Sequence, residues 1–243
     1  MEITANQNIG ALVAENDRFA GIFKTHAIDF CCKGNRSIAE ACAENPGQLA
    51  QLLLDLNTLK QASDDSTVLA YSTWPLSLLM DFIVEQHHRY VREKSGEILN
   101  YLTTICSVHG EKYPELFAIQ NLFSLATEEL KAHMQKEENS LFPAIRALTL
   151  SQPKLPTEST NPTLQEQILS ISDEHQHEGE RFSQIRELSQ NFTAPSDACI
   201  TYRVSFKLLE EFEEQLHFHI HLENNILLPR ALKLEHEVYH AHH

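Results

Sequence analysis

The sequence predicts an all-α protein, an antiparallel four-helix bundle with a small N-terminal helical domain in front of it. Three observations carry this reading. Only 7 glycines occur in 243 residues, too few for the tight turns of a β architecture. Four long stretches place apolar residues three and four apart, the period of a helix buried along one face. Short breaker-rich segments separate the first stretch from the second and the third from the fourth, so antiparallel neighbours are the economical connection.

Taken in order, residues 1–60 form the small domain. Ser37-Ile38-Ala39-Glu40 matches a capping box, in which the serine takes a first-turn N–H and the glutamate reaches back. Asn45-Pro46 starts a further helix, because proline's missing N–H costs nothing at the first helical position. Leu49, Leu52, Leu53, Leu56 and Leu59 follow as a stripe at helical spacing. Between these signals Asp29-Phe30-Cys31-Cys32-Lys33-Gly34 reads as a turn. Sixty residues are marginal for independent stability, so the domain is expected to dock on the rest of the chain or on a second copy.

Residues 61–75 read as a linker. The bundle then occupies 76–235, with a histidine-rich tail over 236–243. The spacing predicts its first helix over 76–104, ending before His109-Gly110 and Pro114. The second runs over 115–148 with a break at Pro143. A connection carrying Pro153, Pro156 and Pro162 is too proline-rich for helix. The third helix covers 163–189 and the fourth 197–233.

Composition bounds the function. With 42% hydrophobic and 22% charged residues, the chain is neither disordered nor fibrous. Its 34 acidic against 19 basic residues give a net charge of −15, a field that repels phosphate and excludes nucleic acid and anionic membrane as first partners. No apolar run approaches the roughly 20 residues of a membrane span, and the first ten residues lack a basic and an apolar region. Five cysteines, of which only Cys31 and Cys32 lie close together, make no disulfide framework, so a cytoplasmic location is expected. The 14 histidines point to metal, since imidazole is the commonest metal ligand.

Polar groups appear where the apolar stripes run out. In the second helix Leu116, Ile119, Phe123, Ala126 and Leu130 lead by the same steps to His133 and Glu137. In the fourth, Ser205, Leu209, Phe212 and Leu216 lead to His219 and Glu223. The third stripe contains His175, and in the first His87 sits four after Ile83 and four before Val91. The second and fourth helices share a longer pattern, His133-x3-Glu137-x5-Pro143 and His219-x3-Glu223-x5-Pro229, with Asn139 and Asn225 in equivalent places. The bundle thus reads as two similar helix pairs.

Residues four apart share a helix face, so each His and Glu can approach one centre together. Four neutral imidazoles and two carboxylates suit a pair of iron or manganese ions, with Glu137 and Glu223 bridging. Zinc would gain little from bridging carboxylates. A purely structural network would bury two carboxylates with no cationic side chain on the same stripes, a large desolvation cost. By the same face assignment, Glu85-x-x-His88 and Glu214-x-x-His217 lie on solvated faces. His177 and His221 point about 200° away from the ligands two residues before them. His236, His240, His242 and His243 belong to the tail.

The runs His133-Met-Gln-Lys-Glu137-Glu-Asn-Ser-Leu-Phe-Pro143, Glu174-His175-Gln-His-Glu-Gly-Glu180 and His219-Ile-His-Leu-Glu223-Asn-Asn-Ile-Leu-Leu-Pro229 resemble the hemerythrin-like bundle of the repair-of-iron-centres family. Asp29-Phe30-Cys31-Cys32-Lys33-Gly34-Asn35-Arg36-Ser37 resembles the signature of that family's N-terminal domain. The resemblance implies a cytoplasmic homodimer that restores iron–sulfur clusters damaged by nitric oxide or peroxide. It implies two iron ions per chain, oxo- or hydroxo-bridged, on His87, His133, Glu137, His175, His219 and Glu223. By the same similarity Glu129 and Glu174 are acids that support the ligands, and Cys31 and Cys32 are the family's cysteine pair. Supplying iron to damaged iron–sulfur proteins is the leading expectation. Hemerythrin-type binding or sensing of dioxygen or nitric oxide, and nitric oxide reduction, are the alternatives.

Overall fold

A computed structural model describes residues 2–62, 70–150 and 162–240 of the chain. The expected linker at 63–69, Pro153 and Pro156 of the proline-rich connection, and the last two tail histidines lie outside the described residues. Among the described residues the regular structure is helical, with one isolated antiparallel bridge between Asn8 and Ser37. Packing divides the chain into two units, residues 1–79 with 220–243 and residues 80–219.

The first unit begins with α1 (Ile9–Glu15), whose N-terminus is capped by the Asn8 side chain accepting the Ala11 N–H at 2.8 Å. Next come α2 (Phe19–Thr25), the irregular turn over 29–34, and α3 (Ile38–Ala41), which opens with the expected Ser37/Glu40 capping box. Helix α4 (Pro46–Ala62) buries Leu52 and Leu56 completely. It is tied to the start of the chain by Asn57, which accepts the Ile3 N–H at 2.7 Å and donates to Ile3 O at 3.0 Å. Ile9, Leu12, Val13, Phe19, Phe23 and Ile38 complete its core. Helix α1 also packs against residues 223–227 of the chain's C-terminal segment, which supplies apolar surface that so short a domain lacks alone.

The second unit holds most of the helical bundle, the start of whose first helix and the end of whose fourth are counted with the first unit. Its first helix consists of α5 (Leu76–Phe82), a π-helical turn over Ile83–His88 and α6 (Arg89–His109). Its second is α7 (Glu115–Lys136), a π turn over Glu137–Leu141 and α8 (Phe142–Thr149). The third is α9 (Leu164–Leu188), opened by a Thr163/Glu166 capping box, and the fourth is α10 (Ile200–Leu222). A last π turn, Glu223–Leu227, continues into α11 (Leu228–His240), so helix persists past the expected end at 233. Helix α7 packs against both α6 and α9. At mid-height Phe123, Phe182 and Phe212 meet, the first pair edge-on at 6.3 Å and the last stacked at 5.7 Å between centroids.

Pro143 does not break the second helix. A π turn bonds residue i to i+5 and so lets the chain absorb an extra residue. The proline sits just beyond such a turn, near the start of α8, where its missing N–H costs little.

Candidate metal centre

The π turn at Ile83–His88 changes how two adjacent histidines are presented, and both are buried. Five residues, rather than four, return the chain to one face in such a turn, which pairs Ile83 with His88. His88, expected from the sequence on a solvated face, is instead fully buried. Glu85 beside it is exposed as expected. His87 is also buried, but its ring packs on Phe82 and Phe218, each at 5.6 Å between centroids, and stacks on His219 at the same distance.

Within the bundle the imidazoles converge on Glu137, which is completely buried. Its Oε1 lies 3.2 Å from His133 Nε2 and its Oε2 lies 3.3 Å from His88 Nε2. His175 Nε2 is 3.2 Å from His133 Nε2. The ring of His219 is 5.0 Å from that of His88, and 6.5 and 6.4 Å from those of His133 and His175. Two sets of donors result, His88 with Glu137 and His219, and His133 with Glu137 and His175, each with ligand atoms within 4.8 Å of one another. Glu137 belongs to both. A carboxylate shared by two nitrogen sets is the arrangement that bridges a metal pair. Glu223, also completely buried, opens its π turn four residues after His219, just as Glu137 opens one four residues after His133.

The outer nitrogens of two imidazoles are held by carboxylates. His88 Nδ1 lies 2.6 Å from Glu138 Oε1, which also accepts from Arg92 at 2.6 Å. His133 Nδ1 lies 3.0 Å from Glu174 Oε2, while Lys136 donates to Oε1 of the same carboxylate at 2.6 Å. A carboxylate on one ring nitrogen orients the ring and leaves the other nitrogen to meet a cation. The bond to His133, helped by Lys136 and opposed by burial, holds Glu174 down at about 2. Burial pushes Glu138 up, but His88 and Arg92 outweigh it and keep it below the usual carboxylate range. The donor set fits a pair of hard-to-intermediate cations such as iron, with nitrogen and oxygen donors, buried anionic charge and supported imidazoles.

Glu174, which the sequence reading set beside His175, bonds to His133 on another helix. Glu129 does not face the imidazoles: its side chain is 56% exposed and accepts from Arg181 at 2.8 Å. The same guanidinium reaches the buried Glu178. Burial, opposed by Arg181 and reinforced by Glu129, pushes Glu178 up to about 7. Sequence reasoning overlooked Glu138 and Glu178. Glu178 could have been found, because it continues the His175 stripe by three residues. Glu138 sits off the apolar stripe and is engaged only through the register of the first helix.

In the first unit Cys31 is buried and Cys32 half-buried, with the sulfurs 3.6 Å apart. Asp29 Oδ1 lies 3.3 Å from Cys31 Sγ and accepts the N–H groups of Cys31 at 3.1 Å and Cys32 at 2.9 Å. The hydrogen bond with Cys32 and burial push the Cys31 thiol well up. His221, which the sequence reading turned away from the ligands, is buried against Phe30 with ring centroids 5.9 Å apart.

Comparison with known proteins accords with this geometry. Residues 80–231 match the hemerythrin HHE cation binding domain, and residues 5–60 match a domain of unknown function, DUF542. The chain is 34% identical over 233 residues to the iron-sulfur cluster repair protein YtfE of Yersinia pestis and to that of Yersinia pseudotuberculosis, covering 95% of this chain and 98% of each relative. No helix among the described residues is long and apolar enough to cross a membrane. The chain therefore belongs to the hemerythrin-type family of iron–sulfur cluster repair proteins that join a DUF542 domain to a cation-binding bundle.

Proposed function

We propose that this protein binds two iron ions per chain and repairs iron–sulfur clusters damaged by nitrosative or oxidative stress by supplying iron. The observation that carries the reading is Glu137, buried and shared between two imidazole sets. We assign the ligands as His88, His133, Glu137, His175, His219 and Glu223, with His88 in the place that the sequence pattern gave to His87. Supporting this are the Nε2 of His88 aimed at Glu137 and its Nδ1 held by Glu138, the same division of labour as in His133. The ring of His87 packs between Phe82 and Phe218. Support for Glu223 is its burial and its place one turn beyond His219, matching Glu137 beyond His133.

When bound, the iron pair supplies a labile pool of a redox-active metal and sites for a small diatomic such as nitric oxide or dioxygen. The protein's own residues set how tightly it is held. Imidazole and carboxylate donors bind ferrous iron less firmly than the thiolates of a cluster protein, so transfer runs toward a cysteine-rich acceptor. Glu138 and Glu174 keep the His88 and His133 rings oriented through loading and release. A homodimer in the cytoplasm, with the domain division at the linker, completes the proposal.

The test incubates a nitric-oxide-treated cluster enzyme with reduced, iron-loaded protein, with metal-free protein and with the Glu137→Ala variant, following recovered activity and labelled iron. Recovery with the loaded protein alone, and label in the acceptor, is expected. Equal recovery in all three, or recovery without movement of label, overturns iron donation and favours nitric oxide reduction or sensing.

A further inference from the structure

The repeated His-x3-Glu-x-Asn pattern places Asn139 and Asn225 in equivalent positions, yet the two do different things. Asn139 is exposed. Asn225 is half-buried, and its Nδ2 donates to the carbonyls of Phe30 and Cys31, both at 3.2 Å, and lies 3.1 Å from His221 Nδ1. Asn224 adds a bond from its Nδ2 to the Cys31 carbonyl at 3.3 Å. The seat for Asn225 is made by two glycines. A Cβ on Gly10 would stand 2.2 Å from Asn225 Oδ1, and one on Gly34 would stand 2.6 Å from the same atom and 2.3 Å from the Phe30 carbonyl. The backbones of Gly10 and Gly34 are joined by an N–H to carbonyl bond of 2.8 Å. A side chain at either glycine would press on the Asn225 amide in its present place.

We propose that Asn225 is the positioning residue of the Cys31–Cys32 thiol pair, pinning the thiol turn to the helical turn that Glu223 opens. The physical argument is a two-sided clamp. Asp29 takes the N–H groups of Cys31 and Cys32 from one side, and Asn225 with Asn224 takes the carbonyls of Phe30 and Cys31 from the other. Both polar faces of the turn are thereby satisfied, which is the condition for keeping its backbone, and the Cys31 side chain, out of water. Loss of the donors leaves the carbonyls to seek water, and the turn must open to reach it. Because Asn225 follows Glu223 by two residues, a shift of that turn on loading of Glu223 also reaches the thiols. This second step rests on the assignment of Glu223 as a ligand; the first does not.

The experiment measures alkylation of each cysteine in the full chain with iodoacetamide, read by mass spectrometry. Metal-free wild type is compared with Asn225→Asp, Asn225→Ala, Asn224→Ala and the repeat control Asn139→Asp. Asn225→Asp sets a carboxylate against two carbonyls and is expected to raise Cys31 labelling about tenfold, the equivalent of roughly 1.4 kcal/mol. Asn225→Ala is expected to give a similar rise and Asn224→Ala a smaller one, while Asn139→Asp changes nothing. Cys42, buried in the same unit, reports general loosening and should stay protected. Unchanged Cys31 labelling, or Cys42 rising in step with it, overturns the positioning role. In the second arm iron loading should change Cys31 labelling in wild type and not in Asn225→Ala at equal iron content. The same change in both overturns the link. Iron content of Glu223→Ala, measured alongside, reports separately on the ligand assignment.

Discussion

His88 Nε2 lies 3.3 Å from Glu137 Oε2, across the bundle from the first helix to the second. The neighbouring His87, one residue away in sequence, packs its ring on Phe82 and Phe218. Two adjacent histidines of one π turn are both buried.

The first prediction follows from that division. His88→Ala should lower iron content about tenfold or more, as should His133→Ala. His87→Ala should keep most of the iron but melt lower, because it empties a packed site worth about 2–4 kcal/mol. Metal analysis and thermal melting of the two variants decide it; loss of iron from His87→Ala with full retention in His88→Ala reverses the assignment.

The carboxylates behind the imidazoles give the second. Glu138→Gln and Glu174→Gln should each weaken iron binding by about 10–100-fold without removing a ligand, because the ring loses its anionic partner and its orientation. Competition with a chelator measures this. Affinities equal to wild type would mean that these contacts do nothing for the metal.

Glu178 gives a pH dependence. Its carboxyl is pushed up to about 7 by burial, whereas in the unfolded chain it titrates near the ordinary carboxylate value. Between these two values the folded state holds a proton that the unfolded state has released, so stability falls as pH rises through the window. The loss is complete about one unit above pH 7 and amounts to about 3–4 kcal/mol at most. Denaturant melts of metal-free protein at several pH values should show this slope in wild type and a flatter one in Glu178→Gln. Parallel slopes would assign the dependence to other groups.

The fourth prediction concerns the bundle's middle. Phe212 is fully buried and contacts Phe123 at 5.1 Å and Phe182 at 5.7 Å. Phe212→Ala should cost about 3–5 kcal/mol, read as a shift in the denaturation midpoint. Because the aromatic layer is also a spacer between helices that carry ligands, iron affinity should fall with it.

Much of the molecule was legible in the residue order, for reasons that are local. The capping boxes at Ser37 and Thr163 and the three-and-four steps from Leu116 to Glu137 and from Ser205 to Glu223 are properties of a few consecutive residues. So is the inward placement of His133, Glu137, His175 and His219, all of which are buried. Helix period carries these side chains to one face whatever lies opposite. The burial of His88 beside His87 needed the tertiary structure, because a π turn is uncommon and persists only when packing and polar contacts elsewhere compensate. For His88 that compensation includes Glu138 and Arg92, 50 and 4 residues away in the chain. The same holds for Glu129, turned outward by Arg181 on another helix. It holds too for Asn225, which has Gly10, Gly34 and the thiol turn beside it. Sequence period determined which helix faces are buried, and contacts between distant segments determined which side chain on each face meets which partner.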